Sequence, residues 1–214
     1  AGFSKADYHI HSSVRDGIAS PEEIVDFVEH FTDLKVIAIT DHDTMKGAYR
    51  AKEHALKKKY KVEVILGEEV STLKGHLIGL FIEKPIKRYT SLFKTIENIH
   101  KQGGICIVPH PLSWLTTSIG QGAFKNVMKS KNPLIYFDAV ELINPSISGK
   151  ITDKKAKRIN KSLWKLPVTG GSDSHSLEGI GTAFTIFKGE TAEDFKKSIK
   201  EGTTSLGGNY WTFK

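Results

Sequence analysis

The chain has 214 residues, a formal net charge of +7 at pH 7, and 39% hydrophobic and 26% charged side chains, which are ordinary shares for a soluble protein. This length predicts one globular domain over residues 1–214, long enough to bury a sizeable core. No apolar run is long enough to cross a bilayer and no signal-peptide pattern is present, so we expect no membrane partner.

The cysteine content and the charge balance bear on the setting of the chain. Cys106 stands alone in the apolar run 105–108, which excludes an internal disulfide framework and predicts a reducing, cytoplasmic setting. Lysines cluster at residues 57–59 and 154–158 in predicted helices, a pattern typical of solvated helix faces. A field that attracts phosphate esters or nucleic acid is the functional alternative.

Apolar strand-like runs alternate with amphipathic helical segments along the chain. Strands are predicted at residues 5–11, 36–40, 62–66, 75–81, 105–108, 139–143, 166–169 and 182–187, of which 75–81 is interpreted as an added hairpin strand. Helices are predicted from residue 20, and at 47–59, 89–101, 120–131, 152–163 and 191–200, before a glycine-rich tail. This alternation predicts a parallel α/β barrel. A doubly wound open sheet is the alternative, but no glycine-rich phosphate loop follows the first strand.

The first predicted strand carries two histidines on one face. Alternate side chains of a strand share a face, so His9 and His11 point the same way. Neutral imidazole is a common ligand of zinc, iron and related metals, and Asp16 in the following loop can add a carboxylate oxygen. A single pair of histidines also arises by chance, so the metal-site interpretation depends on similar groups elsewhere in the chain.

Similar groups follow the carboxyl ends of later predicted strands. The donors at strand ends are His9, His11, His42, Glu68, His110, Asp173 and His175. In a barrel of this class the strand ends converge on one mouth. The set exceeds what one tetrahedral ion can use, so we expect two or three ions, with a carboxylate such as Glu68 bridging them. The absence of thiolate ligands indicates zinc, manganese or iron.

With these residues in view, the chain resembles the PHP (polymerase and histidinol phosphatase) domain family over essentially its whole length. The family motifs occur in order as His9-x-His11, Asp16-Gly17, Thr40-Asp41-His42-Asp43, Gly67-Glu68, His76-Leu77, Pro109-His110-Pro111 and Gly171-Ser172-Asp173-Ser174-His175. Each motif is short, but the ordered set is specific. The resemblance implies a single-domain, distorted seven-stranded (β/α)7 TIM-like barrel with a metal cluster, often trinuclear, at its mouth.

The resemblance also implies ligand sets for two or three divalent ions (Zn, Mn or Fe). The first set would be His9, His11, Glu68 and Asp173, the second Glu68, His76 and His110, and the third Asp16, His42 and His175. Such a site implies a phosphoric ester hydrolase in which a metal-bridging hydroxide attacks phosphorus. In that scheme Glu68, Asp173 and His175 would be catalytic, whereas Arg15 and His175 would bind the substrate.

Several positions keep an alternative interpretation. Glu69 competes with Glu68 for the bridging role, and the family pattern favours Glu68. His76 falls inside a predicted strand, where a packed histidine is an equally good interpretation. Arg15 can grip a phosphate through its planar guanidinium or simply face solvent. Glu141 either lines the pocket or makes a structural hydrogen bond.

Four further residues have interpretations that depend on the fold. Asp41 and Asp43 flank His42, and we interpret them as partners that orient imidazoles, with capping of the next helix as the alternative. Trp114 can stack on a base, although packing in the core is the favoured use. His100 lies in a predicted helix and is interpreted as a surface or packing residue.

These expectations favour a metal-dependent phosphoesterase that acts on a phosphomonoester or phosphodiester, such as a nucleotide or the end of a nucleic acid. The chain leaves no room for an inserted domain that would cover the substrate, so an open mouth is expected. The alternatives are a histidinol-phosphate phosphatase, a catalytically silent PHP module that binds nucleic acid or a protein, and a metal-dependent amidohydrolase. The sequence Gly67-Glu68-Glu69 favours the PHP assignment over the amidohydrolase.

Overall fold

The computed structural model describes residues 2–210, apart from the side chain of residue 148, and its backbone is organised around one strongly curved sheet. The strands are β1 (Phe3–Ile10), β2 (Leu34–Ile39), β3 (Glu63–Thr72), β4 (Gly75–Leu80), β5 (Ile105–Val108), β6 (Ala139–Ile143), β7 (Val168–Gly170), β8 (Ala183–Lys188) and β9 (Ser205–Gly208). Their order across the sheet is β7-β6-β5-β4-β3-β2-β1-β8-β9.

Helices connect most of these strands. They are α1 (Pro21–Phe31), α2 (Lys46–Lys58), α3 (Leu92–Lys101), α4 (Gln121–Met128), α5 (Ile147–Ile159), which continues into a π-helical turn at Asn160–Trp164, and α6 (Ala192–Lys200). α1 begins where predicted, because Ser20 and Glu23 form a reciprocal capping box and Pro21 occupies the first turn. No helix in the described part of the chain has the length and apolarity needed to span a membrane.

The sheet curls until its two ends nearly meet. The segment after β7 runs beside the end of β1, where the amide of His11 donates to the carbonyl of Ser174 at 2.8 Å. The predicted barrel is therefore confirmed, although residues 2–210 form nine strands rather than seven. The glycine-rich tail, for which no structure was predicted, supplies β9, which pairs with β8.

The barrel is not wholly parallel, and the exceptions position the site. β4 pairs antiparallel with both β3 and β5, so its first residues, not its last, lie at the mouth. The chain then returns to the mouth along the outside of β3, where Ile86 N donates to the Glu68 carboxylate and Tyr89 N donates to Ser71 O at 2.7 Å. The predicted hairpin strand at residues 75–81 is therefore confirmed as β4, and it interrupts the parallel barrel.

Branched aliphatic side chains fill both faces of the central strands. In β2, Val36, Ile37, Ala38 and Ile39 are all inaccessible to solvent, as expected for a strand covered by helices on one face and by the barrel interior on the other. Ile24, Val25 and Val28 of α1 pack against this sheet from outside. The core therefore holds the strand ends in a fixed arrangement around the mouth.

At the opposite end of the barrel, His100 confirms its prediction as a packing residue. Its Nε2 lies 2.8 Å from Asp138 Oδ2, and its Nδ1 lies 2.8 Å from the carbonyl of Leu134. Both neighbours accept hydrogen bonds, so the ring is a doubly donating imidazolium. Burial opposes this charge, but the Asp138 carboxylate and the Leu134 carbonyl outweigh burial and raise the pKa of His100.

We expect Asp138→Asn to lower the free energy of unfolding by about 2 kcal/mol at about pH 6, since a hydrogen bond to a charged group is lost. The stabilisation is fully present below the ordinary His pKa of 6.5 and is lost as the pH rises through the raised value. The difference from wild type, measured by denaturant unfolding, should therefore shrink towards about pH 9. Asp26→Asn, which removes an exposed partner of His54, is the control and should cost less. A difference that grows with pH would contradict the assignment.

Candidate metal centre

The centre of the site is the end of the first strand. His9 in β1 and His11 directly after it point to the same side, as predicted, with buried side chains and ring centroids 5.2 Å apart. Tyr8, which precedes them, and Ile10, which lies between them, are buried in hydrophobic clusters. Strand alternation alone thus delivers both imidazoles to the interior of the mouth.

The carboxylate that meets them is Glu69, so the prediction of Glu68 for this position is wrong. β3 does not end at residue 66 as predicted but continues to Thr72, which places neighbouring residues on opposite faces. Glu69 points inward, whereas Glu68 points outward and accepts from Ile86 N. Burial raises the pKa of Glu68 to about 7.

Glu69 lies among five imidazoles. Its Oε2 is 3.4 Å from Nε2 of His9, 3.4 Å from Nε2 of His11 and 3.3 Å from Nδ1 of His42. Its Oε1 is 3.0 Å from Nδ1 of His76 and 3.1 Å from Nε2 of His110. The two oxygens of one carboxylate therefore face two different sets of ring nitrogens.

His42, His76 and His110 reach Glu69 from three different strands. His42 follows β2, and its segment continues beside β3 because Asp43 N donates to Glu69 O at 2.9 Å. His110 follows β5. His76 is the second residue of β4, and the antiparallel direction of that strand explains why a histidine inside a strand lies at the mouth.

The loop after β7 adds Asp173 and His175, and the loop after β1 adds Asp16. Asp173 Oδ1 lies 3.4 Å from Nε2 of His9 and 3.2 Å from Nε2 of His11. His175 Nε2 lies 3.2 Å from Asp16 Oδ2, and Nε2 of His42 lies 3.6 Å from the same oxygen. The side chains of Asp16 and His175 are 47% and 41% exposed, so this group forms the outer, solvent-facing part of the cluster.

These side chains form overlapping groups whose donor atoms lie close enough for a shared ion. The groups are His9, His11 and Asp173; His9, Glu69 and His110; His42, Glu69 and His76; and His11, Asp16, His42 and His175. Eight of the nine metal-ligand positions predicted from the sequence are brought together, with Glu69 in place of Glu68.

Several ring nitrogens in the cluster lack a hydrogen-bond partner in the described structure. The buried ones are His9 Nε2, both nitrogens of His11, His42 Nδ1 and His76 Nδ1. A buried polar atom without a partner costs about 1–3 kcal/mol. Carboxylate oxygens lie 3.0–3.5 Å from these nitrogens, so divalent cations between them fit the donor set.

Hydrogen bonds on the far side of three rings fix their tautomers. His9 Nδ1 lies 2.9 Å from Glu141 Oε2, which can only accept. His175 Nδ1 lies 3.0 Å from the carbonyl of Asp173, and His110 Nδ1 lies 2.9 Å from Ser118 Oγ, whose proton goes to the His110 carbonyl. In each ring Nδ1 carries the proton, so the Nε2 lone pair faces the cluster.

Glu141 is a buried partner of the His9 ring and of the His110 backbone. Besides His9, its Oε2 accepts from the hydroxyl of Tyr8 at 3.2 Å, while its Oε1 accepts from His110 N at 3.1 Å and Asn144 Nδ2 at 2.9 Å. Any side chain at Gly171 would crowd it, because a Cβ there would lie 2.6 Å from Oε2. Glu141 therefore positions two imidazoles rather than lining an open pocket.

The acidic residues around His42 anchor loops and do not orient imidazoles, contrary to prediction. Asp41 accepts from the amide and hydroxyl of Ser12 at 2.6 and 2.7 Å, and Asp43 accepts from the amide and hydroxyl of Ser71 at 2.7 and 2.9 Å. Each carboxylate ties the segment after β2 to a neighbouring strand end. They position His42 through the backbone.

The opposite charges in the cluster shift one another's pKa values. Burial alone would raise the pKa of Glu69, but the imidazoles around it, His9 first, hold that pKa well below its usual value. The same balance lowers the pKa of Asp173. Burial opposes protonation of His9, yet Asp173, Glu141 and Glu69 raise its pKa. Carboxylates that stay ionised in a buried site create a strong attraction for cations.

Arg15 lies at the edge of the mouth and is exposed. It lines a cavity of about 300 Å³ together with Val14, Asp16 and His42. The cavity thus connects solvent with the outer group of the cluster. An anion entering it would meet a guanidinium on one side and the cluster on the other.

Comparison with known proteins gives one family over most of the chain. The PHP domain model matches residues 7–163, and a model described as PHP-associated matches residues 154–204. The first match includes all but two of the residues in the cluster. Those two, Asp173 and His175, fall within the second match.

Three similar proteins illustrate the relationship. An uncharacterized protein of Methanocaldococcus jannaschii is 33% identical over 174 residues, which is 76% of this chain and 94% of that protein. A 5′-3′ exoribonuclease of Haemophilus influenzae is 32% identical over 105 residues, covering 47% of this chain but only 37% of its own. A crystal structure of a two-domain Bacteroides vulgatus protein containing a predicted PHP-like metal-dependent phosphoesterase superposes with a TM-score of 0.74 at 19% identity, covering 97% of this chain and 65% of that one.

The adjacent carboxylates of β3 provide a matched test of the cluster. We expect Glu69→Gln to bind at least one metal ion fewer per chain than wild type after reconstitution with Mn²⁺ or Zn²⁺, because the carboxylate between the imidazoles loses its charge. Glu68→Gln should keep the wild-type stoichiometry, since it alters the outward-facing residue. Elemental analysis after gel filtration measures both. Loss of metal in Glu68→Gln alone would contradict the structural assignment.

We expect Glu141→Gln to weaken metal binding about 10- to 100-fold, the usual effect of losing a carboxylate behind a ligand histidine. The amide that replaces one oxygen would present a donor to groups that already donate. Competition with a chromophoric chelator measures the affinity. Tyr8→Phe removes one donor to the same carboxylate but leaves its contact with His9, and should cause a smaller loss. Equal affinities for Glu141→Gln and wild type would rule out this positioning role.

Proposed function

Since the chain belongs to the PHP family, we propose that it is a metal-dependent phosphoesterase that hydrolyses phosphate esters at the end of a nucleic acid or of a nucleotide. The observation that carries the proposal is the position of Glu69. A single buried carboxylate faces five imidazoles, and several of their nitrogens lack any other partner in the described structure. Such a group of buried polar side chains would destabilise a protein core, but it is suited to binding cations.

The proposal assigns three groups of ligands. His9, His11, Asp173 and Oε2 of Glu69 would hold one ion, and His76, His110 and Oε1 of Glu69 a second. Asp16, His42 and His175 would hold a third at the solvent-facing side. When bound, such ions lower the pKa of a coordinated water and neutralise phosphoryl oxygens.

The chain's own residues would orient the ester and exclude bulk water from the inner groups. The rings of His9 and His110 are buried, and their Nδ1 atoms donate to Glu141 and Ser118. The Nε2 lone pairs therefore face the cluster before any substrate arrives. His175 is the most accessible ring with a fixed tautomer, so the ion that it would hold with Asp16 and His42 is the one that would meet a phosphoryl group entering from the mouth. Arg15, across the small cavity, would donate to non-bridging oxygens.

Two observations support a nucleic-acid end as the substrate. A relative that shares part of the chain is named as a 5′-3′ exoribonuclease, although the shared part is a minority of that protein. The net charge of +7 also favours association with a polyanion. A histidinol-phosphate phosphatase and a silent PHP module stay as alternatives, but a silent module would be expected to have lost ligands, and eight of the nine predicted ligand residues lie together in the described cluster.

The test is turnover of an aryl phosphate, dinucleotides and short single-stranded oligonucleotides by the protein reconstituted with Mn²⁺. We expect hydrolysis that a chelator abolishes and added metal restores. His9→Ala and Asp173→Ala should each lower turnover about 100-fold or more and reduce bound metal, because several kcal/mol of charge stabilisation are lost. His54→Ala, which alters a histidine outside the cluster, is the control. Turnover by either cluster variant at wild-type metal content would exclude the proposal.

A further inference from the structure

The mouth has a surface of exposed aromatic, aliphatic and cationic side chains beside the Glu69 cluster, here called the rim surface. Its residues are Leu73, Lys74, Arg88, Tyr89, Trp114 and Leu115. Trp114 and Tyr89 are 70% and 63% exposed. The sequence interpretation of Trp114 as a core residue is therefore wrong, and the ring is free for a ligand.

Hydrogen bonds connect the three segments of the rim surface to one another and to the cluster. Leu73 N donates to Thr90 O at 3.0 Å, next to Tyr89. On the other side, His76 N donates to Thr117 O at 2.8 Å, and this hydrogen bond connects the loop that contains Trp114 to the start of β4. The tip of the β3–β4 hairpin thus lies between the two aromatic segments, one residue from His76.

Trp114 is held close to the cluster by a loop whose backbone is strained. His110 and Leu112 have φ values of +30° and +65°, a region that non-glycine residues enter at a cost of about 1–3 kcal/mol. Ser113 N donates to His110 O at 3.3 Å, closing a turn. Such a turn spans less than about 7 Å, and one more residue adds about 3.8 Å, so the Cα atoms of Trp114 and His110 lie within about 11 Å.

The positive charge of the rim surface indicates what kind of molecule it binds. Neither Lys74 nor Arg88 forms an ion pair within the part of the chain that the structure describes, and the Arg88 guanidinium lies 5.2 Å from the Tyr89 ring centroid. Unpaired cations between exposed rings suit a polyanion whose units carry flat π-faces. Proteins that bind single-stranded nucleic acid use this combination, with bases stacked on aromatic rings and cations along the backbone.

From these contacts we infer that the rim surface binds the unpaired nucleotides of a single-stranded nucleic acid, with Trp114 as a stacking platform for a base. The inference rests on the proposed function only in that the terminal phosphate of the strand would lie in the cluster. The base stacked on Trp114 belongs to the same strand. Single strands of several nucleotides should therefore bind more tightly than mononucleotides and than duplexes.

The test measures binding directly, by fluorescence anisotropy of a labelled single-stranded oligonucleotide of about ten nucleotides, within the site sizes of such proteins. Phosphorothioate linkages slow hydrolysis during the titration, and the protein is metal-reconstituted. We expect Trp114→Ala to weaken binding between about 5-fold and 100-fold, the range of one lost stacking contact. Trp114→Phe should lose less. Phe31→Ala, which removes a 77% exposed ring at the far end of α1, should bind like wild type.

Parallel titrations separate the outcomes. Binding by Trp114→Ala within about twofold of wild type would overturn the inference, as would equal affinity for a duplex of the same sequence. Loss of binding to anionic lipid vesicles in Trp114→Ala, without loss of oligonucleotide binding, would assign the surface to a membrane instead. Hydrolysis of an aryl phosphate by the wild-type protein tests the proposed function separately, so either idea can fail while the other stands.

Discussion

The attraction between one buried carboxylate and the imidazoles around it is the constraint on which the site depends. Glu69 lies on the inward face of β3 with its two oxygens within 3.4 Å of nitrogens from five histidines. Those histidines come from the ends of four other strands, two on each side of β3, so the curvature of the sheet is what assembles the group. Removing water from so many acceptors is unfavourable unless positive charge replaces it. The folded chain therefore attracts cations to one end of the barrel.

Much of the fold followed from sequence because its signals are local. The continuous apolar run of β2, the capping box of α1 and the alternation of strand and helix each reflect chemistry within a few residues. The added hairpin strand at residues 75–81 was predicted, but the extension of β3 to Thr72 was not, because a strand that continues past Gly67 looks the same in sequence as a strand that stops there. The short β9 is specified by pairing with β8 rather than by its own glycine-rich residues.

That same extension of β3 decides which glutamate enters the site. In a loop, Glu68 and Glu69 would be equivalent candidates, whereas in a strand neighbouring side chains point to opposite faces. The histidines could be assigned to one face without this ambiguity, because none of them has another histidine as its direct neighbour in the sequence. Glu141 was visible as a polar residue in a buried strand, but its role depends on partners more than a hundred residues away.

The two layers around the cluster differ in how they can change. Inner residues such as His9 and Glu141 are buried and mutually hydrogen-bonded, so any substitution there leaves unsatisfied partners. Rim residues such as Trp114 are exposed and held by backbone contacts of their loop, so their side chains can vary at little cost to folding. Under the proposed function, the buried layer would supply the phosphoester chemistry and the exposed layer would select the substrate, which for the aromatic and cationic rim of this chain is the unpaired strand that we infer above.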